Sequence, residues 1–181
     1  MKICLDAGHG GADNGTSGNR ILEDAWALEF IQRLGHHIRA LGAETVLTRT
    51  TDKKIGIDTR AAIAVSKKCD LFISIHCNGA TNRNADGAEA FYAPVGHQHN
   101  SVAIAEEMVK LCAEAGMDNR GVKRDSQSQH SRLGVLRGTC EHMPAVLLEV
   151  GFVSNKHDSG LMSNKYWREK LAEDIAKAIV R

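Results

Sequence analysis

The apolar run Ala145-Val146-Leu147-Leu148 passes directly into Glu149-Val150-Gly151-Phe152, and no other stretch of the chain restricts the fold so tightly. With Pro144 before it and Gly151 after the acid, the run reads as a buried strand. A carboxylate at the end of such a strand costs free energy unless a charge or a hydrogen bond meets it there. Two other apolar runs end in the same way. Lys2-Ile3-Cys4-Leu5-Asp6 leads into Ala7-Gly8-His9-Gly10-Gly11, and Asp70-Leu71-Phe72-Ile73-Ser74-Ile75 leads into His76-Cys77-Asn78. Three strands therefore deliver an ionisable or metal-competent residue at their C-terminal ends. In open α/β sheets that edge is where ligands bind.

The segments between these strands complete the pattern. Ala27, Phe30, Ile31, Leu34, Ile38 and Leu41 recur at helical spacing, which predicts a helix from Glu23 to Leu41 stopped by Gly42. A strand is expected over Thr45–Thr48, then a short helix capped by Asp58 and carrying Ala61, Ala62 and Val65. Gly87 to Ala93 reads as a strand closed by Pro94. Asn100 or Ser101 is expected to cap a helix whose apolar face is Ile104, Ala105, Met108, Leu111, Cys112 and Ala115. Met117 to Arg132 is charged and poor in apolar residues, and reads as a long loop of the functional or mobile kind. Leu133 to Arg137 is expected to be a short strand, and Tyr166 to Val180 a closing helix built on Trp167, Leu171, Ile175 and Ile179. The alternation predicts a single α/β domain over residues 1–181, with a twisted, mostly parallel sheet of about six strands and helices on both faces.

Composition removes several function classes. A net charge of +1 and the lack of a Lys/Arg stripe argue against a nucleic-acid surface, and only four Phe, two Trp and two Tyr are present for stacking. The five cysteines are scattered and form no C-x-x-C pair, so they read as free, buried thiols, with Cys77 turned to the opposite face from His76. Lys2 is followed by three apolar residues before Asp6, too few for a signal peptide, and no run is long enough to span a membrane. The glycines after the first strand match neither G-x-x-x-x-G-K-[ST] nor G-x-G-x-x-G, so nucleotide binding is disfavoured.

His9 and His76, at two strand ends with carboxylates near, are the sharper feature. Catalytic zinc sites commonly take two His and one carboxylate and keep a position open for water. Glu23, opening the first helix, and Glu149 compete for the third place, and spacing leaves that choice open. Arg60 and Arg137 read as structural or pairing residues. His36, His37, His142 and His157 are weaker candidates, while His97, His99 and His130 lie in expected loops that could approach a substrate.

The segments Asp6-Ala7-Gly8-His9-Gly10-Gly11, Glu23, Val46-Leu47-Thr48-Arg49-Thr50, Asp58-Thr59-Arg60, Leu71 to Asn78 and Pro144 to Asn155 occur together in order. In these segments the chain resembles the zinc-dependent N-acetylmuramoyl-L-alanine amidases of bacterial cell walls, in the branch called amidase type 3. The resemblance covers nearly the whole chain. It implies one Zn²⁺ held by His9, Glu23 and His76, with Glu149 as the catalytic acid/base. It also implies peptidoglycan as substrate, cut between the lactyl group of N-acetylmuramic acid and L-alanine. Ala7 departs from the proline usual in the family, which changes loop stiffness and not ligand chemistry. The implied setting is synthesis in the cytoplasm without a signal peptide and action on the wall after release, as in phage lysis or autolysis. Two alternatives stand beside it: a zinc peptidase acting on peptidoglycan peptides, and a non-catalytic wall-binding module.

Overall fold

A computed structural model describes residues 1–180; Arg181, the last residue of the expected domain, lies outside the described residues. In chain order the strands are β1 (Lys2–Ala7), β2 (Ser17–Gly18), β3 (Ile21–Leu22), β4 (Glu44–Leu47), β5 (Leu71–Asn78), β6 (Ala88–Tyr92), β7 (Asn119–Arg124) and β8 (Ala145–Phe152). The α-helices are α1 (Glu23–Ala40), α2 (Ile57–Ser66), α3 (Gln98–Glu114), α4 (Gly134–Arg137), α5 (Lys156–Ser163) and α6 (Lys165–Ile179). Six strands form one sheet in the order β4-β1-β5-β8-β6-β7. Pairing is parallel from β4 through β8, antiparallel between β8 and β6, and parallel again between β6 and β7. β2 and β3 form a separate hairpin whose turn residues Asn19 and Arg20 both have positive φ, as a two-residue type I′ connection requires.

Strand alternation sorts the side chains into two unequal cores. Ile3, Leu5, Leu71, Ile73, Ile75, Cys77, Val146, Leu148 and Val150 pack with residues of α1, α3 and α6 in the larger one. Cys4, Phe72, Ala145 and Leu147 pack with Ala64 of α2 and Val135 and Leu136 of α4 in the smaller one. Toward the C-terminal ends of the strands the second face turns polar, through Asp6, Ser74, His76 and Glu149. This thinly covered face is where the site lies. All five cysteines are free and buried, and Cys77 points into the larger core, away from His76.

Two expected elements are corrected. Leu133–Arg137 is not a strand: Gly134–Arg137 forms one turn of helix on α2, where a Cβ at Gly138 would lie 2.6 Å from the Ala61 methyl. The sixth strand of the sheet is Asn119–Arg124, inside the segment expected to be loop. β7 is an edge strand, and Arg120, Lys123 and Arg124 give it the charged, non-alternating sequence that edges favour. Smaller shifts follow from local chemistry. α3 begins at Gln98, because the Ser101 hydroxyl donates to the His97 carbonyl (3.0 Å) and accepts from the Ala145 amide (3.0 Å) instead of capping. α2 begins at Ile57, which places Asp58 in its first turn. Asn155, after β8, caps α5 by accepting from the His157 amide at 2.8 Å. Among the described residues no helix is long and apolar enough to cross a membrane.

Candidate metal centre and active site

The loop after β1 is built around two buried arginines. Arg49 donates to the carbonyls of Ala7 (3.1 Å), Gly8 (2.8 Å) and Asp24 (2.6 Å). Arg60 donates to the carbonyls of Ala7 and His9, the latter at 2.6 Å, and to Asp6 Oδ1 at 2.7 Å. Asp6 also accepts from the hydroxyls of Thr48 (2.6 Å) and Ser74 (2.7 Å), so its charge is fully met inside the fold. Asp6 therefore anchors the loop. Held this way, His9 adopts φ 57°, a conformation that a non-glycine residue keeps only when its surroundings over-determine it.

His9, Glu23 and His76 converge, with one donor atom of each lying within 4.8 Å of the others. Glu23 Oε1 is 2.8 Å from His76 Nδ1 and 3.2 Å from His9 Nε2, and accepts from the Cys77 amide at 3.1 Å. Its second oxygen accepts from the Thr16 amide at 2.8 Å. The other nitrogen of His9, Nδ1, lies 3.0 Å from Asp13 Oδ1, so Asp13 fixes the ring and leaves Nε2 facing inward. Gly8 is required by close approach, since a Cβ there would fall within 2.6 Å of both ring nitrogens of His76.

Burial alone would raise the Glu23 carboxyl, but hydrogen bonds from His76 and His9 outweigh it and hold the group well below the usual carboxylate range. His9 is correspondingly raised to about 9, chiefly by its hydrogen bond to Glu23. Two imidazoles and a buried carboxylate aimed at one point form a donor set that fits a divalent metal ion, with Asp13 behind His9 as outer support. This three-residue group could hold a metal.

Glu149 stands beside the group on the neighbouring strand, in register with His76. Its Oε2 is shielded from solvent and has no hydrogen-bond partner among the described residues. Burial pushes its carboxyl up to about 7, helped by the charges of Glu23 and Glu89 and opposed by His76. A carboxyl with a free oxygen that titrates near neutrality beside a metal-binding group is equipped to take up and return a proton.

These residues line one cavity of about 710 Å³. Ile55, Ile57, Leu133 and Val135 form part of its apolar wall, while Glu89, Arg120 and Lys123 form a charged one. The segment Gln127–Leu133 closes another side and brings in His130 and Arg132. The remaining histidines lie elsewhere. His36 is exposed, His37 pairs with Glu169 at 2.8 Å, and His157 bonds the Gly116 carbonyl at 2.9 Å. His97, His99 and His142 do not line the cavity. Arg137 pairs with buried Asp125 at 2.6 Å, as a structural residue should. Sequence reasoning missed Asp13 and Glu89. The available signals were an acid four residues after His9 in the same loop, and an acid between alanines in a strand whose neighbours are buried.

Comparison with known proteins agrees with this geometry. The sequence pattern of the family described as N-acetylmuramoyl-L-alanine amidase matches residues 3–181. The chain is 33% identical over 174 residues to the N-acetylmuramoyl-L-alanine amidase LytC of Bacillus subtilis, covering 96% of this chain and 34% of that protein. It thus spans about a third of that relative's length. Among solved structures, the catalytic domain of CwlV, an N-acetylmuramoyl-L-alanine amidase from Bacillus (Paenibacillus) polymyxa var. colistinus, superposes with a TM-score of 0.85 at 30% identity, over 98% of this chain and 95% of that one. The amidase AmiC2 of Nostoc punctiforme gives 0.86 at 28% identity, over 99% and 94%. The fold, the convergent His9–Glu23–His76 group and a family match along almost the entire chain lead to one assignment: this chain belongs to the N-acetylmuramoyl-L-alanine amidase family.

Proposed function

We propose that this chain hydrolyses peptidoglycan at the amide between the lactyl group of N-acetylmuramic acid and the L-alanine of the stem peptide. The observation that carries the reading is the pairing of the His9–Glu23–His76 group with Glu149, which lines the same cavity and has a carboxylate oxygen with no hydrogen-bond partner among the described residues. His9 through Nε2, Glu23 through Oε1 and His76 through Nδ1 would hold one Zn²⁺, a borderline-soft ion suited to imidazole and carboxylate donors. When bound, such an ion supplies Lewis acidity toward a carbonyl and lowers the pKa of water from 15.7 to about 7.

Glu149 takes a proton on its carboxylate from the water that attacks the lactyl carbonyl. Its raised pKa lets it hold that proton and then deliver it to the departing alanine nitrogen. Asp13 keeps the His9 ring in one tautomer throughout. Arg49 and Arg60 hold the backbone that presents the ring. Burial of the Glu149 carboxyl among its neighbours is what raises its pKa. Action on the wall after release from the cytoplasm remains part of this reading.

The test measures new N-terminal alanine released from purified peptidoglycan by chelator-treated protein, with and without restored zinc. Zinc-dependent release without new reducing sugar ends is expected. Release of other amino termini would replace the reading with a peptidase. No release in either state would reduce the chain to a binding module.

A further inference from the structure

Glu89 is a buried acid directly across from Glu149 in the antiparallel β6–β8 pair. On electrostatic grounds two adjacent buried carboxylates are unfavourable, so Glu89 needs compensation. It has more than it needs. Asn78 Nδ2 donates to its Oε1 at 2.8 Å, and Oε2 receives both Lys123 Nζ and Arg120 Nε, the latter at 3.1 Å. These bonds outweigh the effect of burial and hold the Glu89 carboxyl below its ordinary range, so it stays ionised. Among the described residues it is the one carboxylate paired with either cation. One negative charge thus fixes two positive ones, and the cluster carries a net charge of +1 on the cavity wall.

The two cations are held in place, not loosely solvated. Arg120 Nη1 donates to the Asp86 carbonyl at 3.1 Å, and the guanidinium lies 4.9 Å from the Phe152 ring centre. Its Nη2 and the remaining Lys123 hydrogens have no protein acceptor among the described residues. Arg132 also lines the cavity. β7, which carries both cations, lies two strand spacings or about 10 Å from β8, and both side chains reach back toward it to Glu89 on the intervening β6. Two residues of extended peptide span about 7 Å.

We propose that Arg120 and Lys123, oriented by Glu89, form a carboxylate subsite that selects stem peptides bearing a free carboxylate on the second residue over those in which it is amidated. The inference rests on the amidase reading, because the distance is counted from the bond cut beside Glu149. The second stem residue is a γ-linked D-glutamate, whose α-carboxylate is free in some walls and a carboxamide in others. A free carboxylate completes the charge balance of the cluster, whereas a carboxamide leaves the excess cation unmatched inside a partly closed cavity.

The experiment uses zinc-loaded protein and two MurNAc-tetrapeptides that differ only in this group. The expected result is a preference for the acid of about tenfold in kcat/KM, the low end for a charge-assisted hydrogen bond in a half-exposed site. Lys123→Met should bring the ratio close to one through KM, and Lys123→Arg should retain it. Calorimetric binding of the released peptides, L-Ala-D-isoglutamate and L-Ala-D-isoglutamine, gives a second reading that needs no turnover. A ratio near one for the unaltered protein, or a ratio that survives Lys123→Met, overturns the subsite. If neither tetrapeptide is cut while the acid peptide binds more tightly in a Lys123-dependent way, the subsite stands and the amidase reading falls.

Discussion

Replacing Arg49 separates holding the fold from holding the metal. Its side chain is 1% exposed and donates to Gly8 and Asp24, carbonyls with no second side-chain donor, and to Ala7, which Arg60 also serves. In Arg49→Met the Gly8 carbonyl loses its partner inside the protein, while the Asp24 carbonyl keeps its own bond within α1 and the Ala7 carbonyl keeps Arg60. One orphaned acceptor costs about 1–3 kcal/mol and the other lost bonds add about 1 kcal/mol, so the variant should lose about 3 kcal/mol of folding stability. Domains of this kind have about 5–15 kcal/mol in total, so it should fold at low temperature and melt early.

The second effect is specific to the site. Gly8 precedes His9, whose φ of 57° is maintained by these bonds, and Asp24 follows Glu23 at the start of α1. Arg49 is thus a positioning residue that ties together the two segments presenting His9 and Glu23. Loss of outer-shell support typically costs 10–100-fold in metal affinity, and the same range is expected here. Urea melts at fixed free zinc, with a competing chelator to measure affinity, read both quantities. At zinc 100-fold above the dissociation constant the ion stabilises the fold by about 2.7 kcal/mol, and a 30-fold weaker site would retain under 1 kcal/mol of that. Arg49→Lys, which keeps the charge but cannot span the same carbonyls, should fall between. An Arg49→Met protein that is destabilised as expected yet binds zinc as tightly as the parent would refute the positioning role.

Four shorter predictions accompany it. Glu149→Gln should keep its metal and lose alanine release, while His76→Ala should lose both; equal metal loss in the two, by elemental analysis, would contradict the division of roles. Asp13→Ala should weaken zinc binding by about 10–100-fold, and an unchanged affinity would show that the His9–Asp13 bond at 3.0 Å does not orient the ring. Because His9 is raised to about 9, zinc binding at pH 7 should expel at least one proton, which calorimetry in buffers of different ionisation enthalpy detects. The Glu149 carboxyl, raised from 4.5 to about 7, keeps its proton in the folded metal-free protein over a window where the unfolded chain has released it. Stability should therefore fall by about 2–3 kcal/mol as pH rises from 4.5 to 7, and Glu149→Gln should remove that component; parallel urea-midpoint curves for the two proteins would refute it.

The elements legible in the sequence are those whose residues answer to the core. β1, β5 and β8 carry apolar runs, and α1, α3 and α6 carry helical spacing, because each buries a face in the large cluster. His9, Glu23, His76 and Glu149 were visible as chemical residues attached to those elements, although spacing alone left open which acid joins the histidines. β7 was illegible because an edge strand buries little and its residues serve a charged wall. The turn of helix at Gly134–Arg137 looked like a strand because Val135 and Leu136 are adjacent and both buried, a pattern too short to set a period. Asp13 and Glu89 escaped notice for different reasons: Asp13 sits four residues after His9 in an irregular loop where no periodicity says which side chains meet, and Glu89 matters through Glu149, which lies opposite it only because β6 pairs with β8.

The site and the core share one constraint. In β5, Leu71, Ile73, Ile75 and Cys77 enter the large cluster, so Phe72, Ser74 and His76 must face the other way. A one-residue slip would put the His76 imidazole into the packing beneath α1 and turn Cys77 toward Glu23. The apolar residues of the strand therefore hold the imidazole in place, although none of them touches it. In β8 the same alternation sends Val146, Leu148 and Val150 inward and leaves Glu149 on the face of His76, its register partner. The large cluster thus fixes which face the two catalytic-edge residues occupy, and the small cluster decides how much room they have. Had α2 and α4 covered that face as fully as α1, α3 and α6 cover the other, no cavity would remain beside the residues that the register brings together.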